Sequence, residues 1–202
     1  MNIKRCSVLN ACLLALAACG GSSPTPQVSK GLKIFATSRT HVADFKNDPY
    51  LHGDTAIAKA DDFCNTDPNR PDALTYRALL VDGVTRDAKV RMDWVLQPST
   101  TYYRPYDDVP VGTTTAAAIF GATYAPLTNP IDAGAGTQVW TGIANSADFA
   151  AGDCCNGWSD LTNTYSAKYG FSSDKDGNAF SAVGGGMGCA YFQLEVYCVQ
   201  QP

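Results

Sequence analysis

Phe192-Gln193-Leu194-Glu195-Val196-Tyr197-Cys198, near the end of a chain of 202 residues, alternates apolar and polar side chains with a period of two. Successive side chains of a β-strand leave opposite faces, so this period predicts a strand. Phe192, Leu194, Val196 and Cys198 would be buried, and Gln193, Glu195 and Tyr197 wet. Working back from it, residues 138–143 read as another strand, and residues 32–37 as a short β-prone run followed by a polar, Gly- and Pro-containing loop to Gly53. After Asp54, read as an N-cap, apolar residues fall at Ala56, Ile57, Ala60, Phe63 and Cys64. That is the spacing of one helical face, and it points Cys64 inward. Residues 76–81, ending at Asp82-Gly83, and 93–96, ending before Gln97-Pro98, read as buried strand or strand–helix pieces. Residues 98–136 are rich in Thr, Ala, Tyr, Gly and Pro without clear period, which predicts long loops with short strands.

The start of the chain reads as an address. Lys4 and Arg5 precede an apolar stretch, 8–18, too short to span a bilayer as a mature helix but suited to a signal-peptide core. It ends Leu16-Ala17-Ala18-Cys19-Gly20, which resembles the lipobox of bacterial lipoproteins. The resemblance implies cleavage before Cys19 and a lipid on its thiol, so the expected partner at this end is a membrane, held durably by two or three acyl chains. Gly20, where an Asp would favour the inner membrane, points to the outer membrane of the cell envelope. Residues 20–30 hold one Val and no aromatic residue, and are expected to be a flexible linker. The expected organisation is therefore a leader at 1–19, a linker at 20–30 and one domain at 31–202.

The formal net charge is −4 and becomes −6 once Lys4 and Arg5 leave with the leader, with no basic run anywhere. A nucleic-acid or heparin footprint needs the opposite, so nucleic acid is set aside as a partner. Cys64, Cys154, Cys155, Cys189 and Cys198 remain in the domain. In an oxidising compartment, five thiols imply two bridges and one remainder.

The helix with its cysteine, Trp140-Thr141-Gly142-Ile143, two middle cysteines and the terminal Tyr197-Cys198-Val199-Gln200 together resemble the C-type-lectin fold, whose WIGL hallmark is similar to residues 140–143. Endostatin is a nearer likeness, through Ala60-Asp61-Asp62-Phe63-Cys64, Arg77-Ala78-Leu79 and Cys155-Asn156-Gly157-Trp158. Nearer still is a bacterial lipoprotein family known only as a domain of unknown function, similar at Lys33-Ile34-Phe35-Ala36-Thr37, Asp93-Trp94-Val95-Leu96 and Asn156-Gly157-Trp158. The likeness spans residues 32–200 or so. It implies an α+β, loop-rich, C-type-lectin/endostatin-like domain with nested bridges Cys64–Cys198 and Cys155–Cys189. Cys154 would then be a free or dimer-forming thiol, with an alternative pairing to Cys189 open; a bridge to Cys155 would need a strained turn.

Little reactive chemistry is legible. The lectin calcium motifs are incomplete: Gln97-Pro98-Ser99 lacks the Asp and Trp158-Ser159-Asp160 lacks the Asn. Asp174-Lys175-Asp176-Gly177-Asn178 has no later Glu at EF-hand spacing and reads as a polar turn. Neither His41 nor His52 maps onto endostatin's zinc ligands, and no cofactor or metal is expected. No GxSxG, HExxH or glycine-rich phosphate loop occurs. Asp61/Asp62 and Asp107/Asp108 are carboxylate pairs of the kind a glycosidase uses, but a helix face and a solvated loop explain them as well. Tyr102, Tyr103 and Tyr106, in a Pro-flanked stretch, either form a contact surface or pack as a strand. The expectation is a non-enzymatic surface module that binds a protein or glycan through the loops at 98–136 and 155–189. A structural envelope lipoprotein without soluble ligand, and a carboxylate-dependent hydrolase, are the alternatives.

Overall fold

The computed structural model describes residues 31–121, 126–134, 136–162 and 164–202; Cys19 and the linker at 20–30 lie outside them. In chain order the main elements are β1 (Leu32–Ala36), α1 (Ala56–Asn65), β2 (Tyr76–Ala78), β3 (Thr101–Tyr103), β4 (Pro110–Thr113), β5 (Gln138–Trp140), β6 (Ile143–Asn145), β7 (Ala150–Ala151), β8 (Ser166–Ala167), β9 (Tyr169–Phe171), β10 (Met187–Gly188) and β11 (Glu195–Gln200). Seven of these strands form one mixed sheet in the order β4-β3-β1-β11-β5-β9, with β2 alongside β11. β11 is bonded on both sides. β1 runs antiparallel on one flank, and on the other β5 runs parallel to its first residues and β2 antiparallel to its last. The architecture is mostly β, a curled sheet with one long helix and many loops, stapled by two disulfides.

The terminal strand departs from its expected pattern in two ways. It runs over Glu195–Gln200 rather than 192–198, with Phe192 exposed ahead of it. Nor does it have a wet face, because Val196 to Gln200 are all buried. Val196 and Cys198 enter a core beneath α1, while Tyr197 and Val199 enter a second core on the opposite face. Tyr197 tolerates this because its hydroxyl donates to the Ala179 carbonyl at 2.9 Å.

The helix starts one residue later than expected. Thr55, at φ −121°, is the N-cap, its hydroxyl accepting the Ala58 N–H at 3.0 Å. Ala56, Ile57, Ala60, Phe63 and Cys64 form its buried face. Its outer residues also finish the sheet. The free edge of β2 would leave backbone groups unpaired, yet the Asn65 amide both donates to the Tyr76 carbonyl (2.7 Å) and accepts its N–H (2.9 Å). The Asp61 carboxylate accepts the Ala78 N–H at 2.8 Å. Arg86, fully buried, donates to the Ala78 carbonyl and forks onto Asp61 at 2.8 and 2.9 Å and onto Asp93 at 2.9 Å, while Arg77 pairs with the same two carboxylates. Burial works against charge on Asp93, but hydrogen bonds from Arg77 and Arg86 outweigh it and hold the carboxyl below its usual range. Residues 93–96 are consequently no strand: Asp93 sits at φ 50° to reach the arginines, and Trp94, Val95 and Leu96 are buried without regular pairing.

Residues 138–143 break into β5 and β6 at Gly142. Its φ is +69°, and a Cβ there would sit 2.3 Å from the Val81 carbonyl oxygen, so only glycine closes this approach. The chain after Cys154 is odder. Cys155, Asn156, Gly157 and Trp158 all have φ between 48° and 68°, and Trp158 and Ser159 donate four residues back, to Cys154 and Cys155. This is a single left-handed turn, a conformation costing about 1–2 kcal/mol for each non-glycine residue. Buried Trp158, whose Nε1 donates to Val81 at 3.1 Å, and the bridge at Cys155 hold it in place.

Candidate functional site

Cys64 is bonded to Cys198 and Cys155 to Cys189, with Cα separations of 5.5 and 5.7 Å, and Cys154 is a free thiol. Cys154 is half-buried in the wall of a cavity of about 420 Å³ shared with Asp153, Asn156 and Tyr165. Burial pushes this thiol up, and Asp82 and Asp153 add to the effect, so the thiol form prevails near neutral pH.

The three tyrosines of residues 98–136 part company. Tyr102 is in the strand β3, fully buried, its hydroxyl accepting the Gln97 N–H at 2.8 Å, so it belongs to the core and to no contact surface. Burial pushes its hydroxyl up to about 12. Tyr103, on the opposite face of β3, is half-buried against Gly31. Tyr106, in the β3–β4 turn, is 61% exposed and lines a cavity of about 380 Å³.

Four segments build that cavity: the end of β1 at Phe35 and Ala36, residues 68–71 after the helix, Pro105 with Tyr106, and Ile131 with Asp132. Each is fixed by its own bonds. Pro68 follows the helix C-cap Thr66, where proline stops a helix. Buried Asp67 then accepts the N–H groups of Ser38 (3.0 Å), Arg39 (3.2 Å) and Asn69 (2.9 Å), tying residues 68–71 to the end of β1. Asn69 donates its amide to the Ala36 carbonyl at 3.2 Å. Arg70 spends three N–H groups on the Asn65 and Leu74 carbonyls. Across the cavity, buried Arg104 forks onto Asp107 at 2.6 and 3.1 Å and lies over the Tyr106 ring, 5.2 Å from its centroid. The Tyr106 hydroxyl accepts the Ala133 N–H at 3.3 Å, joining this turn to the segment that carries Asp132. The cavity is thus assembled before any ligand arrives, which lowers the ordering cost of binding.

The other residues singled out from the sequence have structural work. Asp61 serves the arginine cluster, and Asp62 accepts the His52 N–H at 3.0 Å. Asp107 holds Arg104, and Asp108 lies in the same turn at φ 54°. His41 is buried and stacked on Phe45 at 4.2 Å, with Nε2 2.8 Å from Asp48. Trp140 is in the core, its Nε1 donating to His41 at 2.8 Å. Among the described residues no three or more His, Cys, Asp or Glu side chains are grouped to hold a metal ion, and no helix is long and apolar enough to cross a membrane. A further cavity, about 340 Å³, surrounds Glu195, whose carboxyl is pushed up by burial and by Asp132 and Asp67 despite a hydrogen bond from Thr137. Of the residues lining the Tyr106 cavity, the sequence marks only Tyr106 as a contact residue. Asn69 and Arg70 from one loop and Asp132 from another converge there, and no local pattern marks them.

A search of curated proteins finds no match to this chain. Residues 50–175, which carry α1, the arginine cluster, the Tyr106 turn and the left-handed turn but neither β1 nor β11, match the family model described as protein of unknown function (DUF1554). That is more than half of the chain, and the protein belongs to this family.

Proposed function

We propose that this is a lipid-anchored envelope protein whose domain, built on a C-type-lectin/endostatin-like scaffold, binds an extracellular protein or glycan and does no chemistry on it. The observation that carries the binding reading is the Tyr106 cavity: an exposed aromatic ring in the wall of a preformed, partly apolar recess with a few fixed polar groups. The nested bridges Cys64–Cys198 and Cys155–Cys189, with the buried Trp140 at the head of Trp140-Thr141-Gly142-Ile143, support the scaffold. Leu16-Ala17-Ala18-Cys19 supports the anchor, and Gly20 an outer-membrane address.

The test uses the full chain and its Tyr106→Ala variant on arrays of immobilised extracellular proteins and glycans, with a broad hydrolase screen beside them. The expected result is a ligand retained by the parent and lost by the variant, with a cooperative melt kept in both and without turnover. Turnover of any substrate, or binding indifferent to Tyr106, overturns the reading. Metabolic labelling with radioactive palmitate checks the anchor separately: incorporation disappears in Cys19→Ser, and label that survives this change sinks the lipobox assignment.

A further inference from the structure

We propose that the Tyr106 cavity is a socket for one aromatic side chain, tryptophan or tyrosine, presented by a protein partner; this rests on the binding reading above and names the occupant. Size sets the first limit. About 380 Å³ is near the lower end of the roughly 300–1,000 Å³ of ligand sites, room for one large side chain but not for a length of chain. Main-chain pairing is not on offer either, since the outer side of β4 already bonds Thr128 and Asn129 through Val111.

The walls then choose the chemistry. Pro68, Pro71 and Pro105 come from two separate loops, and the other two cavities described above contain no proline. Proline rings and aromatic faces recognise each other throughout peptide binding, and the electron-rich face of an aromatic ring suits the C–H edges that prolines present. A saccharide wants the reverse, an open aromatic face to lie on. The one exposed ring here, Tyr106, is already covered on one side by Arg104.

The polar groups fit the rim of the same occupant. Asp132 takes the Gly134 N–H at 2.9 Å on Oδ1, and among the described residues it has no cationic partner. Asn69 keeps its Oδ1 without a bond among the described residues. Both are acceptors, which a Trp N–H or a Tyr O–H satisfies. Arg70 has three of its five N–H groups bonded, leaving a planar cation at the wall to meet a ring face. Large aromatic side chains buried in such preformed recesses are where interface energy concentrates.

The experiment is a titration of the ¹⁵N-labelled full chain in a non-ionic detergent with N-acetyl-tryptophanamide, N-acetyl-tyrosinamide, N-acetyl-leucinamide and methyl glucoside, read on the amide signals of Asn69, Asp132 and Ala133. The aromatic amides are expected to give saturable shifts there, with leucinamide about tenfold weaker, a difference of about 1.4 kcal/mol. Tyr106→Ala and Asp132→Ala should each weaken the aromatic probes several-fold, and Tyr165→Ala, at the Cys154 cavity, should leave them unchanged. Leucinamide binding as well as the aromatics, or no saturable shift from either aromatic probe, overturns the proposal. Methyl glucoside alone moving these signals also overturns it, yet keeps the cavity as a binding site. A Tyr106-dependent ligand on the arrays that the aromatic amides do not displace likewise sinks the aromatic occupant and spares the binding reading.

Discussion

The two faces of the sheet carry cores of different construction. Beneath α1, Phe35, Phe45, Phe63, Trp140 and Trp158 pack with all four bonded cysteines. On the other face Trp94, Tyr102, Phe120, Phe149, Phe180 and Tyr197 pack with no disulfide. β11 alternates its side chains between them, Val196 and Cys198 to one, Tyr197 and Val199 to the other. One core is therefore covalently closed, and the other is held by ring-on-ring packing, with Phe180 touching Phe120, Phe149 and Tyr197 at centroid distances of 5.5, 4.8 and 6.0 Å. The cross-links spare the first core the entropy of ordering distant segments, whereas the second must meet that cost from burial and dispersion.

The largest expected effect comes from opening the first core. Cys64–Cys198 closes a separation of 134 residues, which a chain-entropy account values at about 5 kcal/mol, against about 4 for the 34 residues of Cys155–Cys189. Cys64→Ala with Cys198→Ala should cost about that much in a urea melt, a large part of a typical domain's stability. Hydrogen exchange should quicken in α1 while β3 and β4 keep their protection. Equal loss in both regions would mean that the two cores unfold as one unit.

Phe180→Ala attacks the other side. A buried Phe exchanged for Ala costs about 3–5 kcal/mol, and about 4 kcal/mol is expected here, where Phe180 packs against three other buried rings. The exchange pattern should be the mirror image, with β3 and β4 opening and α1 protected by its bridge to β11. If α1 opens first in this variant, the staple does not partition stability between the faces.

The same contrast explains what could be read in advance. The helix was legible because Ala56, Ile57, Ala60, Phe63 and Cys64 face a single apolar layer, so their spacing carries the whole message. The terminal strand was legible as a strand but not in its environment. Alternation of Val196 and Cys198 with Glu195 and Tyr197 looks alike whether the second face meets water or a core, and here that core is made by segments remote in sequence. Tyr102 and Tyr106 illustrate the same limit at the site: four residues apart in one polar stretch, one is sealed by Phe120 at 5.8 Å and the other opens onto a cavity. The cavity's walls meet only because Asp67 ties residues 68–71 to β1 and Tyr106 ties its turn to Ala133, long-range bonds with no periodic signature. The left-handed turn was less legible still, since Asn156-Gly157 hints at a turn and says nothing of Cys155 and Trp158 sharing its hand.

That turn yields the sharpest small-scale test of how the closed core spends its stability. Gly142 and Gly157 have nearly the same φ, +69° and +68°, so alanine meets similar backbone strain at both. Their surroundings differ: a Cβ at 142 would lie 2.3 Å from the Val81 oxygen and 2.9 Å from the Trp158 ring, whereas at 157 it would meet nothing within 4 Å. Gly157→Ala should cost about 1 kcal/mol, the conformational term alone. Gly142→Ala should cost about 3 kcal/mol or more, since backbone and indole must shift as well. The difference between the two midpoints in urea, at equal slope, measures the packing at the Val81–Trp158 contact with strain cancelled. If Gly157→Ala costs as much as Gly142→Ala, the left-handed turn is held far more tightly than its open surroundings imply, and Trp158 and the Cys155 bridge must be clamping its backbone from below.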